Sequence, residues 1–407
     1  MSNKVELPDD DLKMSGAARN IFLIAGATGV LALVCSLALT LAGDAEARSL
    51  FQFSYLQNLM FCLSISIGAL FFVIMQHLSR AGWSVAVRRI AEILMAALLP
   101  MSILILPILV LVLSGDSTLY KWNKPFEELD ALLQGKVGYL NANFFVIRVA
   151  IYFIVWAIVA RFFFKKSLEQ DQTGNKELTL KMQAISAPST LLFALTVTFA
   201  AVDLIMTLDA HWFSTMFGVY FFAGCMTSFF STMILLTGYL QANGKLVKSI
   251  TIEHYHDYGK YLFGFVFFWS YIAFSQYMLI WYASIPEETG WFDIRQNNGW
   301  EYISLMLIFF HFMVPFLWLI TKKTRRRKPL LTAAAILLLI MHWIDLYWLI
   351  IPEYSHGASP HFGVIDLCNM LGILGIYIAS LAKIASNCYL IPIQDPRLGE
   401  SLAFENH

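Results

Sequence analysis

Asp203 and Asp345 lie inside long apolar stretches, "AAVDLIMTL" and "MHWIDLYWL", where a charged side chain costs at least about 2.5–3.5 kcal/mol to insert into a bilayer. A carboxyl at that depth must face protein, either to lock two helices as an ion pair or to pass protons between neighbours. Ser189, Thr196, Asp203 and Thr207 recur at steps of seven and four, which puts them on one helical stripe. Asn141, Arg148 and Tyr152 form a similar stripe on the preceding stretch. Sequential antiparallel helices would bring Arg148 to Asp203. His342 lies one turn before Asp345, and an imidazole beside a carboxylate can titrate near neutral pH as a proton relay. Glu301, Ser304 and His311 share a face of another stretch, and Pro315 removes the N–H that would bond the His311 carbonyl. Pro100 and Pro107 free carbonyls in the same way on an earlier one.

Further titratable groups collect at the ends of the apolar stretches. On one side are His77, Glu92 and the run "EHYHDYGK" with Glu253, His254, His256 and Asp257. On the other are Asp209, His211, Glu301, Glu353, His356, His361 and Asp366. Polar groups entering from both faces form the pattern of a proton path or of two half-paths. Blander roles compete with it. Glu92 and His77 suit solvated interface groups, Asp209 and His211 suit caps for the next helix, and either deep aspartate could sit in a structural ion pair. A b-type haem would need two facing histidines at one depth. The only mid-membrane pair, His311 and His342, falls at different depths on the stretch boundaries. The "HYH" run has no known zinc spacing. The five cysteines include no C-x-x-C, so neither iron–sulfur ligation nor covalent haem is expected on this chain, and no metal site is expected. Gly224, Ser228, Ser231 and Thr232 read as a close-packing face.

These side chains need helices that cross a membrane. The chain is 58% hydrophobic and 14% charged, far from soluble composition, and its apolar residues come in runs of the length that spans about 30 Å of hydrocarbon. The reading is an all-α integral membrane protein with ten transmembrane helices, near 19–43, 53–77, 90–113, 141–164, 187–208, 213–239, 258–285, 297–321, 329–351 and 362–385. Of its 28 Lys and Arg, 22 fall on one side and five on the other, with Arg148 inside a span. Both termini are therefore expected to be cytoplasmic. "MSNKVELPDDDLK" reads as an uncleaved tail. The balance of 28 acidic against 28 basic residues points to no nucleic-acid partner.

Short matches relate spans 2–5 to spans 6–9: "FSYLQ" to "FSTMF", "NANFF" to "NNGWE", "FKK" to "TKK" and "VDL" to "IDL". They imply two parallel-repeat four-helix bundles with spans 1 and 10 peripheral, and they set Asp203 against Asp345. The divisions are a cytoplasmic tail (1–18), span 1 and an outer loop (19–52), a first unit (53–208), a second unit (209–351) and a closing segment with span 10 and a cytoplasmic tail (352–407).

At "TLDAHWFSTMFGVYFFAG" (207–224), "EHYHDYGKYLF" (253–263), "FSQYMLIWYASIPEET" (274–289) and "IQDPRLGESLAFEN" (393–406) the chain resembles the NrfD-like membrane subunits related to polysulfide reductase. It is most similar to the ActF-type subunit of bacterial alternative complex III. That resemblance implies an inner-membrane subunit of a respiratory electron-transfer complex that oxidises a quinol and passes electrons to a cytochrome c or a terminal oxidase. It implies partners: a second NrfD-like subunit, an iron–sulfur protein and a multihaem cytochrome c, which carry the haem c and iron–sulfur clusters. For this paralogue it implies a supporting or proton-conducting role without a bound cofactor of its own, quinone binding being open. The proton-path candidates are Asp203, Asp345, His342, Arg148, His311, Asp209, His211, Glu301, Glu92, His77, Glu253, His254, His256 and Asp257. An independent proton-coupled secondary transporter and a purely structural membrane anchor are the alternatives.

Overall fold

A computed structural model describes residues 11–355 and 357–406, and the first ten residues, His356 and His407 lie outside it. Among the described residues, ten helices are long and apolar enough to cross a membrane: α1 (Gly16–Ala42), α2 (Ala45–Leu78), α3 (Val85–Leu113), α4 (Ala142–Thr173), α5 (Glu177–Leu208), α6 (Phe217–Ala242), α7 (Ile252–Ala283), α8 (Trp300–Leu319), α9 (Lys328–Ser355) and α10 (Val364–Ala385). The chain is an all-α, multi-pass membrane protein. Inner and outer below mean the side that carries both described chain ends and the side opposite.

Several helices outrun their apolar stretches because polar residues extend them beyond the hydrocarbon. α4 runs on to Thr173, where Gly174 takes the left-handed conformation (φ +64°), and α5 starts three residues later. Most of the expected loop between them is therefore helix. α7 begins at Ile252, capped by the Thr251 side chain, so "EHYHDYGK" is its first turns and not a loop. Prolines break the pattern elsewhere. α3 is interrupted at Ala97 and Ile105 around Pro100 and Pro107, and the Tyr55 hydroxyl donates to the Leu104 carbonyl at 2.7 Å. In α8 the segment Leu307–Met313 widens to a π-helix just before Pro315. A proline that lacks its N–H is one way to unseat the regular i→i−4 ladder, and π-segments favour functional sites.

α2 sits at the centre and is almost wholly buried, in contact with α3, α5, α6, α9 and α10. Helices 2–5 contact one another, as do helices 6–9, and α2 meets α6 and α9 where the two groups join. α1 packs along α10, with Ser36 donating to Asn369 at 2.8 Å, touches α2 more lightly, and leaves most of its remaining surface exposed. After α10 the chain turns back across the inner ends of the helices. There Asp395 meets Arg88 at 2.5 Å, Ser401 accepts from the Ala86 N–H at 3.0 Å, and Asn406 reaches Glu253.

Candidate functional site

Asp203 and Asp345 are both buried, 0% and 1% exposed, yet their surroundings differ in kind. Asp203 is held by Arg148 in a two-pronged pair, Nε to Oδ2 at 2.8 Å and Nη2 to Oδ1 at 2.9 Å, and by the Tyr152 hydroxyl at 2.7 Å. Arg148 also donates to the Tyr139 carbonyl at 2.8 Å and lies over the Tyr139 ring at 3.8 Å. The pairing expected of two consecutive antiparallel helices is present, and it is saturated. Fork-to-fork geometry of this sort is the strong form of an ion pair.

Asp345 has no such partner. Its carboxyl receives the Tyr220 hydroxyl, through a short contact, and the Trp269 indole N–H at 3.1 Å, both neutral donors. Among the described residues none of the ion pairs includes it, as Asp203's does. The short sequence match of Asn141 with Asn297, carried on in register, would set Arg148 against Ser304. The two donors would stabilise a carboxylate, but ionising Asp345 would leave a charge with no cation beside it in a buried site, and it is that burial that favours the neutral acid.

Around Asp345 the helices converge on a polar cluster. His342 joins Ser64 of α2 through Nε2 at 2.9 Å, and Ser64 meets Ser228 of α6 at 3.3 Å. The His342 ring lies against Gly224, where an added Cβ would come 2.7 Å from Cε1. The absence of a side chain there gives the imidazole its place. His311, in the π-segment, is 4.0 Å from the Trp269 ring and 6.5 Å from His342, centroid to centroid. The two histidines therefore lie near each other in the interior, with His311 carried on the widened turn of α8. Both ring nitrogens of His311 and Nδ1 of His342 are buried without a hydrogen-bond partner. Buried polar atoms of this kind are where ordered water sits. Towards the inner side, the Ser231 hydroxyl is likewise unpartnered, and those of Thr237 and Tyr258 approach each other without a well-formed hydrogen bond. From Ser228 to Thr237 is nine residues of α6, about 13.5 Å.

Towards the outer side, Tyr220 and Trp269 form part of the wall of a cavity of about 720 Å³ between α7 and α8. Arg295 stands at its outer end, fully buried. It donates from Nε to the Trp348 carbonyl at 3.1 Å and from Nη2 to the Leu349 carbonyl at 2.9 Å. Pro352 cannot supply the N–H that the Trp348 carbonyl would otherwise take, so Arg295 repairs that defect in α9. Burial brings its guanidinium down to about 10, with Glu353 at 3.4 Å opposing the shift, and it remains a cation at neutral pH.

The remaining candidates are placed apart. Glu92 and His77, expected to be solvated, are 0% and 2% exposed. Glu92 is clasped by Arg88 at 3.3 Å and Arg89 at 2.8 Å, one turn away on the same helix, and Arg89 continues to Asp171 at 2.7 Å. The folded-back C-terminal segment covers this network through Asp395. His77 stacks on Phe163 at 5.3 Å. Asp209 does not cap α6, which begins at Phe217 after Met216. It accepts the His211 N–H at 3.0 Å, and His211 meets Asp130 at 2.6 Å on the outer surface. Asp130 itself starts the short helix Ala131–Lys136, whose Leu133 N–H and the neighbouring His211 hold its carboxyl below the ordinary range. Glu301 accepts the Gly299 N–H at 2.7 Å and lines the cavity. Glu253 pairs with Arg326, His254 bonds Thr251 and Ser401, Asp257 pairs with Lys260, and His256 Nδ1 is buried without a partner, all at the inner end of α7.

Sequence reasoning missed Tyr220, Trp269, Ser64 and Ser228. Tyr220 and Trp269 look like ordinary aromatic packing, and the serines like small contact residues. Ser228, which had been read with Gly224 as a packing face, is in fact a hydrogen-bonding member of the cluster. Neither a protein-family model nor a curated protein matches this chain.

Proposed function

We propose that this chain is a membrane subunit of a quinol-oxidising electron-transfer complex and that it conducts protons through helices 6–9 with help from Ser64 of α2. The observation that carries the reading is the cation-free Asp345 beside two histidines with three unpartnered ring nitrogens. A neutral carboxyl can release a proton to a neighbour and take one back, which a carboxylate locked against arginine does not do at comparable cost. In this reading a proton from the inner side passes Thr237, Ser231 and Ser228 to His342, then Asp345, and leaves past Tyr220 into the cavity. Water completes the gaps. The network of Arg88, Arg89, Glu92 and Asp171 and the Arg148–Asp203 pair act as clamps, which supports an anchoring role for helices 2–5.

The complex and its partners rest on the sequence resemblance. Haem c and iron–sulfur clusters belong to those partners, and this chain contributes the proton route. Purification in mild detergent tests the assignment. Co-migration with a multihaem cytochrome and an iron–sulfur subunit is expected, and a chain that runs alone while catalysing proton-coupled solute uptake would replace this reading with a transporter.

A further inference from the structure

The cavity between α7 and α8 has features that a proton exit does not need. Its volume, about 720 Å³, falls in the range of ligand sites. Its rim includes residues exposed on the lipid-facing surface, Phe267, Tyr271, Phe274, Leu305 and Ile308 among them, so a ligand can enter it from the bilayer. Its polar groups gather towards the outer end. Gln276 lies seven residues, about 10 Å, from the end of α7, and Glu301 is the second residue of α8.

The lining decides the charge of the occupant. Arg295 is its one cation among the described residues, and that guanidinium is consumed by the carbonyls of Trp291, Trp348 and Leu349 and by Glu353. A phosphate head would find no free positive charge and would face the Glu301 carboxyl. A hydroxyl fits better. The Gln276 amide oxygen is taken by Ser214 at 2.9 Å, which leaves its NH₂ to donate, and the Glu301 oxygen not used by Gly299 can accept. A group that donates and accepts at once matches that pair.

We propose that the α7–α8 cavity binds a neutral membrane-soluble amphiphile, its hydroxyl-bearing head between Gln276 and Glu301 and its tail along Phe267, Phe274 and Ile308. The site goes beyond proton conduction and is tested without turnover, so its failure leaves the reading of Asp345 standing. The experiment uses the full chain in nanodiscs with two photoreactive probes of equal tail length, a monoacylglycerol and its phosphorylated counterpart. Mapping of cross-links by mass spectrometry is expected to place the neutral probe on the peptides around 267–277 and 301–308, about ten-fold above the phosphorylated one, the value of one good hydrogen bond. Leu305→Trp, which fills the rim, and Glu301→Gln each lower that labelling. Ile308→Trp serves as a second filling variant should Leu305→Trp not fold. An alkyl hydroquinone and an unlabelled monoacylglycerol serve as competitors. Competition by either supports the site, and the stronger one identifies the source of its occupant. Equal labelling by both probes, or labelling unchanged in both filling variants, overturns the proposal.

Discussion

Replacing each deep aspartate by asparagine separates the two roles. In Asp345→Asn the amide stands in for the neutral acid: its oxygen can accept the Trp269 N–H and its NH₂ can donate to the Tyr220 oxygen. The cost is therefore at the low end of about 1–3 kcal/mol. In Asp203→Asn the Arg148 guanidinium keeps at most one prong, loses its counter-charge and stays buried, a cost of about 3–5 kcal/mol. Asp203→Asn should therefore be the more destabilised protein by about 2 kcal/mol. Asp345→Asn should be the more impaired conductor, because an amide cannot take up and release the proton. Thermal unfolding of both variants and proton release per electron in liposome-reconstituted complex give the two readouts. An Asp345→Asn complex that assembles and releases protons at the parental ratio and turnover would refute the proton route. An Asp203→Asn chain as stable as the parent would refute the clamp.

Adding Arg148→Gln to Asp203→Asn should restore part of the lost stability, with a coupling of about 0.5–3 kcal/mol read from a double-mutant cycle of unfolding midpoints. A hydrophobic carbodiimide, which attacks protonated carboxyls, should modify Asp345 and spare the arginine-bound Asp203, as peptide mapping would show. Gly224→Ala should push the His342 ring from Ser64 and lower the proton yield, whereas Gly238→Ala, whose new Cβ meets nothing closer than 3.9 Å, should leave it unchanged. Asp130 is held below its ordinary range by the Leu133 N–H first and by His211 second, so its contribution to the helix Ala131–Lys136 is present above the unfolded carboxyl value and fades as pH falls through the folded one. Faster amide exchange at Leu132 and Leu133 in acid would register it, and Asp130→Asn should remove the pH dependence.

What the sequence determined by itself was local or nearly so. The number of spans follows from hydrocarbon thickness and helical rise, and the burial of Ser189, Thr196, Asp203 and Thr207 from helical period. The Arg148–Asp203 pair was legible because α4 and α5 are consecutive and antiparallel. Tertiary structure decided the rest. Ser64 meets His342 across 278 residues of chain, and no spacing rule encodes which helix will be the neighbour of α9. Glu92 reads as a boundary residue until the C-terminal segment folds back over it. Sequence period reports which face of a helix is polar, but only packing of distant helices decides whether that polar face meets an arginine, as at Asp203, or neutral donors and space, as at Asp345.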